Sequence, residues 1–159
     1  YFLPGIIVSS VFPSIVNIQS TNKKAYSKRV IHLIGLLLVS SCVIGVITTF
    51  LAKYIIFIVY GNEFISGYTS LQFYIWSGIG ISLGAVLSQY FVTEKLTHIL
   101  LYTTLIGMLL NILLNMVLIP RYGISGAAFA TLISYIISPI SAILFKEARN
   151  SFYQLWKNA

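Results

Sequence analysis

Charge is what this chain of 159 residues has least of: 8% of its residues are charged, and only three of them are acidic. Soluble domains carry about a quarter charged residues, so this scarcity, with a hydrophobic content of 58%, excludes an ordinary water-soluble fold. What charge there is stays out of five long stretches. Residues 1–22, 30–52, 64–93, 96–120 and 122–145 contain no Asp, Glu, Lys or Arg. A hydrocarbon core about 30 Å thick takes about 20 helical residues to cross, and each stretch is long enough. Backbone polar groups in lipid must be paired internally, and apolar runs without two-residue alternation exclude a closed barrel. The fold class is therefore all-α, a polytopic transmembrane helix bundle.

Cysteine is nearly absent. Cys42 stands alone inside the second stretch, so it forms no intrachain disulfide and reads as a small packing residue. The chain opens at Tyr1, already apolar, with no basic flank before it and no small-residue cleavage site after it. That pattern reads as part of a longer protein rather than as a signal peptide. No His, Cys and carboxylate cluster has metal-ligand spacing, no Gly-rich loop follows a strand, and no nucleophile is placed beside a base. Neither a metal, a cofactor nor an enzymatic site is expected. A formal net charge of +7 would suggest nucleic acid in a soluble domain, but here the cations flank apolar spans. They report topology instead, and membrane lipids, not nucleic acid, are the expected partners.

Spans are predicted at about 1–18, 31–52, 69–92, 98–119 and 124–145, a helical bundle over residues 1–150 followed by a tail at 151–159. The first connection holds Lys23, Lys24, Lys28 and Arg29, the third Lys95, and the tail region Lys146, Arg149 and Lys157; Lys53 and Arg121 alone fall in the even connections. By the positive-inside rule the first and third connections and the C-terminus are cytoplasmic, while the 60–68 loop and the 120–123 turn lie outside. Short connections make neighbouring helices antiparallel and leave no room for a soluble catalytic domain. In the tail, Phe152, Leu155 and Trp156 share one helical face beside Lys157, which predicts a short interfacial helix on the cytoplasmic surface.

Small residues recur at steps of four. Gly80, Gly84 and Ser88 form one row, and Gly126, Ala130, Ser134, Ser138 and Ala142 another. Helices in lipid have no hydrophobic drive to associate, so such rows serve close packing, with Gly80, Gly84, Gly126, Ala130 and Ser134 as its principal candidates; the same rows could serve as sliding faces. Thr103, Gly107, Asn111 and Asn115 lie along one face of the fourth span. Their amides either bond a neighbouring helix or line a hydrated cavity, and Asn17 and Gln89 are further cavity-lining candidates, with Gln19 and Tyr90 beside them. Pro4, Pro13 and Pro139 each remove a backbone donor and are candidate hinges. His98, four residues after Glu94, is either paired with it or simply interfacial.

The run Asn111-x3-Asn115-x2-Leu118-Ile119-Pro120-x-Tyr122-Gly123-Ile124-x-Gly126-Ala127-Ala128-x-Ala130-Thr131 resembles the last helix junction of bacterial polysaccharide transporters. These are lipid-linked oligosaccharide flippases, O-antigen translocases among them, of the MATE-like multidrug/oligosaccharidyl-lipid/polysaccharide exporter superfamily. Looser matches at Phe12-Pro13-Ser14-Ile15 and Tyr60-Gly61-Asn62-Glu63-Phe64 fall in the same order. The resemblance implies five spans of a C-terminal six-helix lobe, completed by an N-terminal half of the same protein. It also implies alternating access, a bacterial inner membrane location with a cytoplasmic C-terminus, and an undecaprenyl-diphosphate-linked repeat unit as substrate. Other polysaccharide assembly proteins are implied partners. No substrate ligand carries over, because the spans hold no Lys or Arg to meet a diphosphate. The alternatives are a drug/cation antiporter of the same superfamily and a membrane enzyme of polysaccharide assembly, the latter disfavoured by the short outer connections.

Overall fold

A computed structural model describes residues 2–159, and among them it is overwhelmingly helical with no strand. The predicted start of the first span at residue 1 lies outside the described residues. Helix α1 covers Phe2–Val16, α2 Lys23–Tyr60, α3 Tyr68–Thr93, α4 Thr97–Ile140 and α5 Lys146–Lys157, with 3₁₀ turns at Asn62–Gly67 and Ser141–Leu144. Three continuous stretches, Lys23–Tyr60, Asn62–Thr93 and Thr97–Leu144, are long and apolar enough to cross a membrane, and Leu3–Val16 is a shorter apolar helix. The protein is an all-α membrane helix bundle.

Helix α4 is not one rod. Straight, its 44 residues would run about 66 Å. Gly123 breaks it with φ 55° and ψ −134°, a backbone conformation that only glycine adopts without strain. Beyond that break the chain returns on itself. The Ser138 hydroxyl donates to the Thr103 carbonyl at 2.9 Å, and a Cβ added at Gly107 would come within 2.7 Å of the Ser138 Cβ. Residues that far apart in sequence would be separated by about 50 Å along a straight helix. The element is a hairpin with arms at 97–122 and 124–140, closed near its turn where Gly126 abuts the Leu118 carbonyl. The returning arm tightens to 3₁₀ after Pro139, which has no N–H to donate one turn back.

Helix α2 is longer than the predicted 31–52 at both ends. Its 38 residues span about 57 Å, nearly twice a hydrocarbon core. Asn22 caps it, the side chain accepting from the Ala25 amide at 2.9 Å, and Gly61 ends it at φ 86°. Four cations, Lys23, Lys24, Lys28 and Arg29, occupy its first turns with no acid among them. A helix N-terminus repels positive charge, so something other than helix stability keeps them there.

Polar side chains join α2 to α3. Ser41 and Ser82 hydroxyls share a 2.6 Å hydrogen bond, the Trp76 indole donates to Thr49 Oγ1 at 3.1 Å, and Gln72 Nε2 donates to the Thr49 carbonyl at 3.0 Å. Gly45 lets the Trp76 ring lie against the helix backbone. The buried core sits toward one end, where Val8, Phe12 and Ile15 of α1 meet Val30, Leu33 and Leu37 of α2 and Val86, Tyr90 and Phe91 of α3. That end also carries Lys23, Lys24, Lys95 and Lys146 and is called the basic end below. At the opposite end, where Ser70 and Ser125 hydroxyls bond at 3.0 Å, large apolar side chains such as Ile58 and Ile124 stand 79% exposed.

The tail helix begins earlier than the expected segment at 151–159, and part of its apolar face packs on the bundle. It begins at Lys146, and Ala148 and Leu155 are buried in the core. Phe152 stacks on Tyr90, and the Tyr90 hydroxyl bonds Ser151 Oγ at 2.6 Å. Of the three apolar residues assigned to the lipid surface, only Trp156 faces outward. The physical reason is the end of α3, whose Tyr90 and Phe91 offer α5 an aromatic platform that competes with lipid for its apolar face.

Candidate functional site

The α4 hairpin and α3 enclose a cleft of about 440 Å³ lined by Tyr74, Thr104, Gly107, Asn111, Thr131, Ser134 and Ser138. Its walls follow from the small-residue rows. Gly107 admits the Ser138 side chain, and Ser134, almost fully buried, turns its hydroxyl back to the Ala130 carbonyl at 2.7 Å. The Thr104, Thr131, Ser134 and Ser138 hydroxyls each donate to a carbonyl of their own or the facing helix arm, which keeps a polar wall affordable in lipid. Asn111 and Asn115 are brought together, Asn115 Nδ2 donating to Asn111 Oδ1 at 2.9 Å. Asn115 Oδ1 is buried and has no hydrogen-bond partner among the described residues. The bond joins the two side chains, with Asn111 lining the cleft and Asn115 one turn beyond it.

The other amide candidates lie elsewhere. Asn17 is exposed in the turn after α1, and Gln89 is exposed near the end of α3, both toward the basic end and away from the Asn pair. Of the packing candidates, Gly80 meets the Tyr135 carbonyl so closely that a Cβ would overlap it, and Gly126 meets the Leu118 carbonyl in the same way. Ala130 and Ser134 are buried. Gly84 has nothing within 4 Å of where its Cβ would sit. It lines a second cleft of about 360 Å³ between α3 and the hairpin, with Thr103 and Pro139 opposite. Among the hinge candidates, Pro4 sits in the first turn of α1, where a missing N–H is no loss. Pro13 and Pro139 are inside helices, and Pro139 cannot donate to the carbonyl that Gly80 approaches.

A family model described as lipid II flippase MurJ matches residues 5–157. The chain belongs to the lipid II flippase MurJ family. No curated protein and no solved structure matches it. This family lies within the MATE-like flippase superfamily to which the sequence resemblance pointed, and it makes the chain a multi-pass membrane protein of a flippase family.

A polar cleft at the basic end brings together Gln19 and Tyr90, two of the residues noted in the sequence beside Asn17 and Gln89. This cleft of about 480 Å³ is lined by Gln19, Lys23, Tyr26, Glu94, Asn150 and Gln154 among others. Gln19 Nε2 donates to Glu94 Oε1 at 2.9 Å and the Tyr26 hydroxyl donates to the same oxygen at 3.3 Å. Glu94 therefore ties the α1–α2 connection to the end of α3. His98 does not pair with it. The His98 ring meets Glu147 at 2.7 Å instead, joining the start of α4 to α5. The turn between the third and fourth spans explains this: Lys95 at φ 60° reverses the chain, so Glu94 and His98 are not one turn apart on a common helix. Among the described residues no group of His, Cys, Asp and Glu could hold a metal ion.

Proposed function

We propose that the chain forms part of a flippase that carries a lipid-linked oligosaccharide across a bacterial inner membrane by alternating access, without covalent chemistry. The match to the MurJ family over residues 5–157 carries this reading. Lipid II is the first substrate to test, because it is the one in the family's description. A polysaccharide or O-antigen repeat unit, the substrate implied by the resemblance at the α4 turn, is the second. The Lys and Arg distribution supports an orientation with the basic end and the C-terminus in the cytoplasm.

The clefts beside Asn111 and beside Gly84 support the mechanism. Helices that pack at isolated glycine contacts and leave open volume between them have room to rock, whereas a fully packed interface would not. The uncharged wall suits passage of a glycan, whose hydroxyls need hydrogen-bonding groups rather than ion pairs.

Depletion of the full-length gene, followed by assignment of lipid-linked intermediates to each leaflet, tests the proposal. Lipid II accumulating on the cytoplasmic side supports it, and accumulation of another undecaprenyl-diphosphate-linked repeat unit transfers it to that substrate. Unchanged intermediates with raised sensitivity to cationic drugs would establish the antiporter instead. The paired substitution Asn111→Leu with Asn115→Leu is expected to lower translocation while leaving membrane insertion intact, because it removes the cleft amide of Asn111 together with its Asn115 partner and adds no charge. Full activity of that variant, measured by complementation, would reduce the amides to packing.

A further inference from the structure

Helix α5 has two faces, and the packed one accounts for only half of it. Ala148 and Leu155 are buried at 0% and 5% exposure. At 100° per residue, Lys146, Arg149, Tyr153, Trp156 and Lys157 fall within an arc of about 100° roughly opposite them. All five are exposed, Tyr153 by 65% and Trp156 by 69%. Two large amphipathic rings standing in solvent between three cations have no structural role in the bundle.

Position supplies the occupant. The returning arm of α4 and the 3₁₀ turn after it present Ile140, Ile143 and Leu144 outward, Leu144 at 71% exposure, and Lys146 follows directly. An exposed apolar surface that ends abruptly in cations and aromatic rings marks the level at which hydrocarbon gives way to headgroups. Arg149 is held at that level by the bond from its Nη1 to the Ile143 carbonyl at 3.3 Å, which leaves its other N–H groups free to point outward. No carboxylate lies on the stripe. Glu147 falls outside the arc and meets His98, Glu94 bonds Gln19 and Tyr26, and Glu63 is at the opposite end.

We infer that the outer stripe of α5 is a binding site for the headgroups of anionic phospholipids in the leaflet at the basic end. Lys146, Arg149 and Lys157 meet phosphate oxygens while Tyr153 and Trp156 insert among the headgroups. Bilayer and bundle thus hold α5 from its two sides. The inference rests on the membrane fold and not on which solute the protein moves.

The test uses the full chain reconstituted with equimolar phosphatidylglycerol and phosphatidylcholine, stripped in mild detergent, with retained lipids quantified by mass spectrometry. The protein is expected to retain phosphatidylglycerol in preference, and the preference is expected to fall with rising salt. In K146Q/R149Q/K157Q it drops by tenfold or more, since each cation near an anionic surface contributes about fivefold. Lys53→Gln, at the far end of α2, leaves it unchanged. Equal retention of the two lipids by the unmodified protein, or an unchanged preference in the triple variant, overturns the proposal. So does displacement of phosphatidylglycerol by an equal concentration of farnesyl diphosphate, which would assign the stripe to a prenyl-diphosphate ligand. If the triple variant fails to fold by circular dichroism, the salt dependence of the unmodified protein decides: a salt-independent preference also overturns it.

Discussion

Single residues set the close contacts of this bundle, and neighbours one turn apart differ sharply. Gly80 faces the Tyr135 backbone with no room for a Cβ, whereas Gly84 faces open volume. Gly80→Val is therefore expected to destabilise the detergent-solubilised protein by about 1–3 kcal/mol, read as a lowered thermal midpoint, with Gly84→Val near neutral. Equal effects would contradict the contact. The row at steps of four was legible in the sequence, but which of its members touch a partner was not. That depends on the crossing point of two helices, which a periodicity does not contain. Lys95 is a second case. It holds a left-handed backbone at φ 60°, with the Leu96 amide bonded to the Phe91 carbonyl at 2.7 Å and its own amide to Val92 at 3.2 Å, the pattern in which helices usually place glycine. Lys95→Gly should raise stability by about 1 kcal/mol. A lower midpoint would show that its charge, not its backbone, dominates.

At the scale of elements, hydropathy located the membrane-crossing stretches and missed how far helices continue beyond them. Helix α2 runs through Lys53 to Tyr60 because Lys53 is a single charge followed by a further apolar run, with no Pro or Gly to stop the helix before Gly61. Helix α5 shows the converse. Its amphipathic face was legible, but Phe152 and Leu155 turn toward α3 because Tyr90 and Ser151 fix its register. Removing that hydroxyl with Tyr90→Phe is expected to cost about 1 kcal/mol of docking and to speed hydrogen exchange in residues 146–157. Exchange across α3 and α4 should stay as it was. Uniform acceleration would mean that α5 does not open as a separate unit.

The molecule as a whole has two unlike ends. The basic end is packed, with α1, α5 and three hydrogen-bonded junctions closing it, and the opposite end is open and apolar. The orientation proposed from the charge distribution is testable without a transport assay. With Cys42 replaced by Ser, a cysteine at Asn62 should react with an impermeant thiol reagent added to intact spheroplasts, and one at Lys24 should not. The reverse pattern would invert the topology. The sequence carried this two-ended charge plainly, because lipid penalises misplaced charge more than any packing error. It did not carry the clefts, which arise where three helices fail to meet. Helix α2 contains no proline and is anchored along α3 near its middle by Ser41, Gly45 and Thr49. A rigid rod of that length, pivoting there by 10°, would swing each tip by about 5 Å. Under the proposed alternating access, small angular play within the bilayer would be amplified at the exposed 53–60 end, away from the buried core that holds the other end, with α2 acting as a lever.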